Sequence, residues 1–411
     1  MKRILFAGSL ILAALLSGQY PPKGGTTLAK ESDLVVHEWG TFTSIAGQDG
    51  VALDWRPLNG ATDLPKFVYT MNGEGGYRGT RGFSGKGEIA RIRMETPVIY
   101  FYTKKEMEID VSVNFPEGKI TEWYPQAGIV NNNYLPDSTG RFHDGITWGK
   151  IKLMPNASEN FLREAAYSHY YPARATDAVP IQVCNADKTK IETEKFLFYR
   201  GIGNFDLPLN VKLNGDSVLL SMKGQNLDSK QKSAPGLINV LLFENRGGRI
   251  GFKFVDEVNG PTAVDRPQLT NSLDQVYAEL ERVLIAQGLY PKEARSMVAT
   301  WKDSWFEEGL RVFYVLPRAT TDRILPLRID VPTKEIVRVL VGRAEVITPQ
   351  MEGDVRRQVT LLRSTSELVR QAARNELKQH GRFYEPILRS ILATETDPAM
   401  RDQLAQLIDT P

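Results

Sequence analysis

Met107, Ile109, Val111, Val113 and Phe115 alternate with Glu108, Asp110, Ser112 and Asn114, the period of two that belongs to a half-buried strand. Strand-like character of this kind runs from residue 34 to about residue 255. Two hairpins are marked by their turn chemistry. Asn214-Gly215 lies between residues 209–213 and 218–222, and Gly247-Gly248 between 238–243 and 250–254. Both pairs supply the positive-φ residues that two-residue turns need. Many strands without helices between them predict a sandwich or barrel, paired mostly antiparallel.

The period changes at residue 272. Ser272-Leu273-Asp274-Gln275 reads as a capping box, with Leu273, Val276, Tyr277, Leu280, Val283 and Leu284 on one helical stripe and Gly288 as the stop. Pro291 then suits the first turn of a second helix, whose apolar face is Ala294, Met297, Val298, Trp301 and Trp305. Strand-like composition returns at 311–316 and 336–347, so the hairpin 272–308 is predicted to be an insertion or a cover on the sheet. Further on, Ser364-Thr365-Ser366-Glu367 is another capping box, with Leu368, Ala372, Ala373 and Leu377 on one face and Gly381 as the stop. Phe383, Tyr384, Ile387, Leu388, Ile391 and Leu392 follow at helical spacing, and Asp397-Pro398 opens a third helix with Met400, Leu404, Leu407 and Ile408. These short-turn helices resemble HEAT-type units, but fewer than about three repeats do not stand alone, so the tail must pack on something. A plain helical cap is preferred over a docking surface for a partner. The expected class is α+β: a mainly antiparallel β-sandwich-like body over 34–348, including the helical hairpin, and an α-helical, HEAT-like tail over 349–411.

Composition narrows the class without naming a chemistry. The chain has 411 residues, of which 42% are hydrophobic and 24% charged, with one cysteine, which excludes a disordered tail protein, a disulfide scaffold and a collagenous repeat. At roughly 100 to 200 residues per domain the length suggests two or three structural units. The formal net charge is +2, and Lys2 and Arg3 supply two of the positive charges. No global field therefore recruits nucleic acid or an acidic membrane. Met1-Lys2-Arg3, the apolar run 4–16 and Leu16-Ser17-Gly18 read as a signal peptide over 1–18. The run is shorter than the ~20 residues that span a bilayer, and Gln19 offers no thiol to acylate, so no membrane anchor is expected after cleavage. Residues 19–33, with Tyr20-Pro21-Pro22, read as a flexible lead-in, and the expected location is periplasmic or extracellular. Cys184 has no intrachain partner and reads as a small buried hydrophobe.

No stretch has a spacing that dictates a reaction. In His37-Glu38-Trp39-Gly40-Thr41-Phe42-Thr43 a threonine stands where a zinc-binding helix needs its second histidine. On a strand, His37, Trp39 and Thr41 share one face and Glu38 takes the other, so His37 and Glu38 cannot hold one ion together without a bulge. The plainer reading is a core Trp39 beside a rim histidine. Arg91, Arg93 and Glu95 alternate with Ala90, Ile92 and Met94. That charged row suits an anionic or sugar substrate with Glu95 as acid or base, or, as preferred, a solvated face with cross-strand ion pairs. Pro97 marks an edge or a bulge. Thr121-Glu122-Trp123-Tyr124-Pro125 repeats the acid-then-tryptophan theme, but paired glycosidase carboxylates must stand about 5 or about 6.5 to 9.5 Å apart. Trp39, Trp55, Trp123 and Trp148 are expected in the core. Residues 72–88 are glycine-rich, with Arg78, Arg81 and Lys86 but without P-loop spacing, and read as a disordered tip or a lid. His143-Asp144, with Asn131, Asn132, Asn133 and Asp137, lacks the ordered spacing of a calcium loop, which stays the minor alternative. Neither a metal nor a cofactor is expected. The catalytic candidates, if catalysis occurs, are Glu95, Glu122, Arg93, His37 and Glu38.

The runs His37-Glu38-Trp39-Gly40-Thr41-Phe42-Thr43, Arg93-Met94-Glu95-Thr96-Pro97-Val98-Ile99-Tyr100-Phe101 and Trp305-Phe306-Glu307-Glu308-Gly309-Leu310-Arg311, with Leu325-Pro326-Leu327, resemble a group of uncharacterised exported bacterial proteins. The resemblance spans most of the mature chain and implies bacterial export; it brings no activity, fold or ligand. The leading expectation is a non-catalytic module that binds an envelope glycan or an envelope protein. The rival is a secreted carbohydrate hydrolase that uses Glu95 or Glu122 with Arg93. Oligomeric state is not encoded in these patterns.

Overall fold

Period-two alternation becomes sheet over most of the first two-thirds of the chain. A computed structural model describes residues 32–58, 64–71, 88–127, 129–132, 144–184, 190–223, 236–379 and 381–409. The strands begin with β1 (Val35–Ala46), β2 (Tyr69–Thr70), β3 (Ile92–Tyr102), β4 (Met107–Phe115), β5 (Gly118–Tyr124) and β6 (Ile129–Asn132). They continue with β7 (Asp144–Leu153), β8 (Ile181–Cys184), β9 (Ile191–Glu194), β10 (Leu197–Gly203), β11 (Leu209–Asn214) and β12 (Ser217–Met222). β13 (Leu237–Arg246), β14 (Arg249–Val258) and β15 (Thr262–Asp265) precede the helical hairpin α1 (Leu273–Ala286) and α2 (Pro291–Trp305). β16 (Gly309–Val315), α3 (Arg318–Ile324), β17 (Leu327–Ile329) and β18 (Glu335–Val346) lead to the tail, α4 (Pro349–Leu361), α5 (Glu367–Gln379), α6 (Glu385–Thr394) and α7 (Pro398–Asp409). The class is α+β.

Among the described residues three sheets carry the body. The largest has nine strands in the order β14-β13-β16-β18-β1-β3-β10-β5-β2; β17-β4-β7-β8-β9, with β6 on β7, form a second, and β11-β12-β15 a third. One face of the nine-stranded sheet, here the inner face, packs on the other two sheets. Val36, Phe42, Phe101 and Leu197 meet Val111, Val113, Trp148 and Ile151 of the six-stranded sheet and Val218 and Leu220 of the three-stranded one. Each such side chain contributes roughly 1.5 to 3 kcal/mol through burial. The opposite, outer face takes the hairpin: Trp39, Val98, Tyr100, Val339 and Phe313 pack against Val276, Leu280, Leu284, Met297 and Trp301. The hairpin is thus a cover on the sheet. Its first helix starts as the sequence indicates, with Ser272 and Gln275 closing a capping box. Trp39, Trp55, Trp123 and Trp148 are all core residues.

The central pairing departs from antiparallel expectation. β1 and β18 run parallel in register from Val35↔Glu335 to Ala46↔Val346. The physical reason is burial on both sides: every residue of β1 is buried, so it sits in the middle of the layers where parallel strands are found. On its other side β1 pairs antiparallel with β3, and the register slips between Trp39 and Thr41. Thr96 takes φ 48° there, so Pro97 marks a bulge inside a central strand. The extra residue keeps Ile92 and Met94 before it, and Ile99 and Phe101 after it, on the same inner core. Gly40 lies opposite, where a Cβ would come 2.9 Å from Pro97 Cα.

The tail has its own core of Val355, Val359, Leu377, Ile387, Leu388, Met400 and Leu404. It meets the body where Phe383 packs with Ile45 and Trp55, and where Glu385 accepts the Arg56 backbone N–H at 2.9 Å. Cys184 departs from expectation: it is exposed. On β8 the alternation places Ile181 and Val183 inward, so the next residue faces out.

Candidate functional site

The outer face of the large sheet is apolar under the hairpin and charged beyond it. Thr41 and Thr43 continue the face of Trp39 along β1, with Glu95 opposite Thr41, and Arg93 and Arg343 on either side of Thr43. Arg311 and Glu345 are partners in the next row. Glu95 is 1% exposed, accepts the Thr43 hydroxyl at 3.0 Å and lies 3.2 Å from Arg93 Nε, while Arg93 Nη1 donates to the Pro57 carbonyl at 2.9 Å. Arg343 Nε donates to Glu345 at 2.5 Å and its Nη2 to Glu307 at 2.9 Å. Burial pulls the Arg343 guanidinium down, but Glu345, Glu307 and Glu95 outweigh it and the net direction is upward. Arg311 receives the end of α2: its Nη1 donates to the Trp305 and Glu307 carbonyls at 2.7 and 2.8 Å, and its Nη2 to that of Glu308 at 2.9 Å. Those carbonyls lack intrahelical donors, so a buried guanidinium is an apt cap.

Arg91 of the charged row stays half-exposed beside Asp206, but the stretch from Arg93 and Glu95 to Arg343 is not the solvated face that alternation suggests. It is a buried ion-pair layer, because the end of α2 and Phe383 of the tail close over it, with the Phe383 ring 5.1 Å from the Arg343 guanidinium. Such a layer costs desolvation when it forms and is costly to break afterwards.

Glu122 does not join Glu95. β10 stands between β3 and β5, so the two backbones are two ladder spacings apart, about 9.6 Å. Arg200 of β10 is the register partner of Glu122 and is buried. Glu122 itself is half-buried and accepts the Thr121 hydroxyl. An acid and a base flanking one bond need a shared cleft, and here the strand that carries the buried Arg200 runs between those of the two carboxylates.

His37 and Glu38 take opposite faces, as alternation requires. His37 is not on the rim: it is 1% exposed, with Nδ1 2.7 Å from Glu293 of α2 and its ring 4.4 Å from that of Tyr290. The first turn of α2 lies over this end of β1 and buries it. Glu293 also accepts the Tyr102 hydroxyl at 2.8 Å and the Tyr290 backbone N–H at 2.7 Å, so one carboxylate ties the imidazole to both. Glu38 faces the inner core, where it accepts the Tyr199 hydroxyl at 2.5 Å and pairs with Arg338. Burial and the Glu38 charge push the Tyr199 phenol well above its ordinary range. Arg338 continues to Asp322 at 2.8 Å.

A small open cleft lies elsewhere, lined by Ser44, Ala46, Arg91, Asp206, Lys223 and Ala344 among others. Asp206 accepts from Lys223 Nζ at 2.5 Å and lies 3.6 Å from Arg91, and none of the five sequence candidates lines the cleft. Among the described residues, no group of three or more His, Cys, Asp or Glu side chains is arranged to hold a metal ion. No protein-family model matches the chain, and no curated protein matches it.

The expected signal peptide over 1–18, most of the expected lead-in, residues 72–87 of the glycine-rich segment, and His143, Asn133 and Asp137 lie outside the described residues. The described flanks of that segment are both tied to β5: Met71 N–H donates to the Thr121 carbonyl at 2.9 Å, and Glu88 pairs with Lys119. Arg200, Arg311, Arg343, Glu345 and Glu293 complete the networks around the five candidates and stand outside them. Their sequence signal is a charge inside an apolar run, as in Leu310-Arg311-Val312-Phe313 and Leu340-Val341-Gly342-Arg343-Ala344.

Proposed function

We propose that the protein is an exported, non-catalytic module of the bacterial cell envelope that binds a glycan. The observation that carries the non-catalytic part of this reading is the placement of Glu95, buried and already engaged by Arg93 and Thr43, with β10 between it and Glu122. A general acid needs access to a leaving group, and a buried, ion-paired carboxylate has lost that access. Export rests on the basic start and the apolar run 4–16. No described helix is long and apolar enough to cross a membrane, which is compatible with release from the membrane after cleavage. The tail is read as a HEAT-like cap on the body, supported by its contacts at Phe383 and Glu385.

The test is the thermal melting of the full mature chain across a panel of glycans, envelope proteins and divalent ions. A native-state ligand at 100 times its Kd adds about 2.7 kcal/mol, enough to move the midpoint. The expected result is an upward shift with at least one glycan, recovered intact. A shift only with an envelope protein, or cleavage of the bound glycan, would replace this reading.

A further inference from the structure

We propose that Tyr167 and Asp303 form a shallow surface subsite for a neutral or amino hexopyranose within a glycan chain. The inference rests on the glycan-binding reading above and names where the sugar sits. Tyr167 is 65% exposed, more than any other aromatic side chain among the described residues. An exposed ring of this size is held for a reason or it moves freely, and this one is held. Its hydroxyl donates to Asp303 Oδ2 at 3.1 Å, and its ring meets His169 edge-on at 5.4 Å.

Behind it the support runs into the core. His169 is held by Nδ1 at 2.8 Å from the Thr300 carbonyl and lies 6.3 Å from Trp301, with the two rings 16° from parallel. Trp301 in turn stacks on Trp305 at 6.4 Å and 10°. Tyr167 is thus the outermost ring of a column anchored on α2. A ring fixed before binding loses little conformational freedom when a ligand lands on it, which is why tyrosine is favoured on recognition surfaces.

The neighbouring chemistry selects the ligand class. Asp303 is exposed and is an acceptor for sugar hydroxyl or amino groups beside the ring. The exposed Tyr167 ring provides an apolar face for the C–H side of a pyranose, and Asp303 an acceptor at its edge. A uronic acid would bring a second negative charge to Asp303 and be disfavoured by like-charge repulsion.

Calorimetric titration of the full mature chain with three probes tests this: a glucose hexamer, an N-acetylglucosamine hexamer and a galacturonate hexamer. The wild type is expected to bind at least one neutral oligomer and to discriminate against the galacturonate. Tyr167→Ala should weaken neutral-oligomer binding roughly tenfold or more at an unchanged melting temperature. Asp303→Asn should reduce the discrimination against galacturonate. Unchanged affinity in Tyr167→Ala, with wild-type binding intact, overturns the subsite and leaves the glycan reading standing. Failure of every oligomer to bind the wild type overturns both.

Discussion

Burial pushes the Asp144 carboxyl up to about 7, against the opposing donation of the Ile120 and Gly145 backbone N–H groups, each at 2.8 Å. That value stands above the 3.8 of an ordinary aspartate, so the folded chain holds this proton more tightly than the unfolded one. The contribution to stability is complete below about pH 4 and is lost as pH rises through 7. Asp144→Asn cannot ionise, so urea unfolding should find it more stable relative to wild type at pH 8 than at pH 5. Equal differences at the two pH values would contradict the assignment. At this scale the sequence was legible in part. The opposite faces of His37 and Glu38 follow from alternation alone. Their partners, Glu293 and Arg338, are 256 and 300 residues away in the chain, and no local pattern announces a contact of that range.

Between neighbouring elements, Gly40 and Pro97 form the tightest constraint on the sheet. A methyl at residue 40 would meet Pro97 Cα at 2.9 Å and Leu340 Cδ1 at 3.0 Å. Gly40→Ala should therefore lower the unfolding free energy by about 1 to 3 kcal/mol through overpacking, read by urea denaturation. A neutral effect would mean that the bulge gives way easily. Local elements were the most legible part of the fold. The Gly247-Gly248 turn, closed by Arg246↔Arg249, stands where the sequence places it, with φ 60° and 75°, whereas Asn214 pairs with Ser217, so the first turn is Gly215-Asp216, one residue later than expected, with Gly215 at φ 60° and no positive φ at Asn214. Both arms of the helical hairpin follow from period, cap and proline. The parallel pairing of β1 with β18 was not legible, because periodicity reports which faces are buried and not which distant strand lies alongside.

Taken as a whole, the molecule uses charge to join its parts. His37 and Glu293 pin the start of α2 to the sheet, Arg311 holds its end, and Arg343 links the sheet to Glu307 while its guanidinium lies against Phe383 of the tail. Glu95 sits within this layer. Arg93 and Glu95 read from sequence as solvated because nothing in their own strand shows that distant segments close over them. The same closure explains why a carboxylate that looks available for chemistry is committed to packing. Glu95→Gln tests this most directly, with unfolding free energy and glycan affinity measured on the same preparation. The account predicts a loss of roughly 3 to 5 kcal/mol in stability, as for a broken buried pair, and unchanged affinity for any glycan the wild type binds. Full stability together with lost affinity or lost turnover would contradict it.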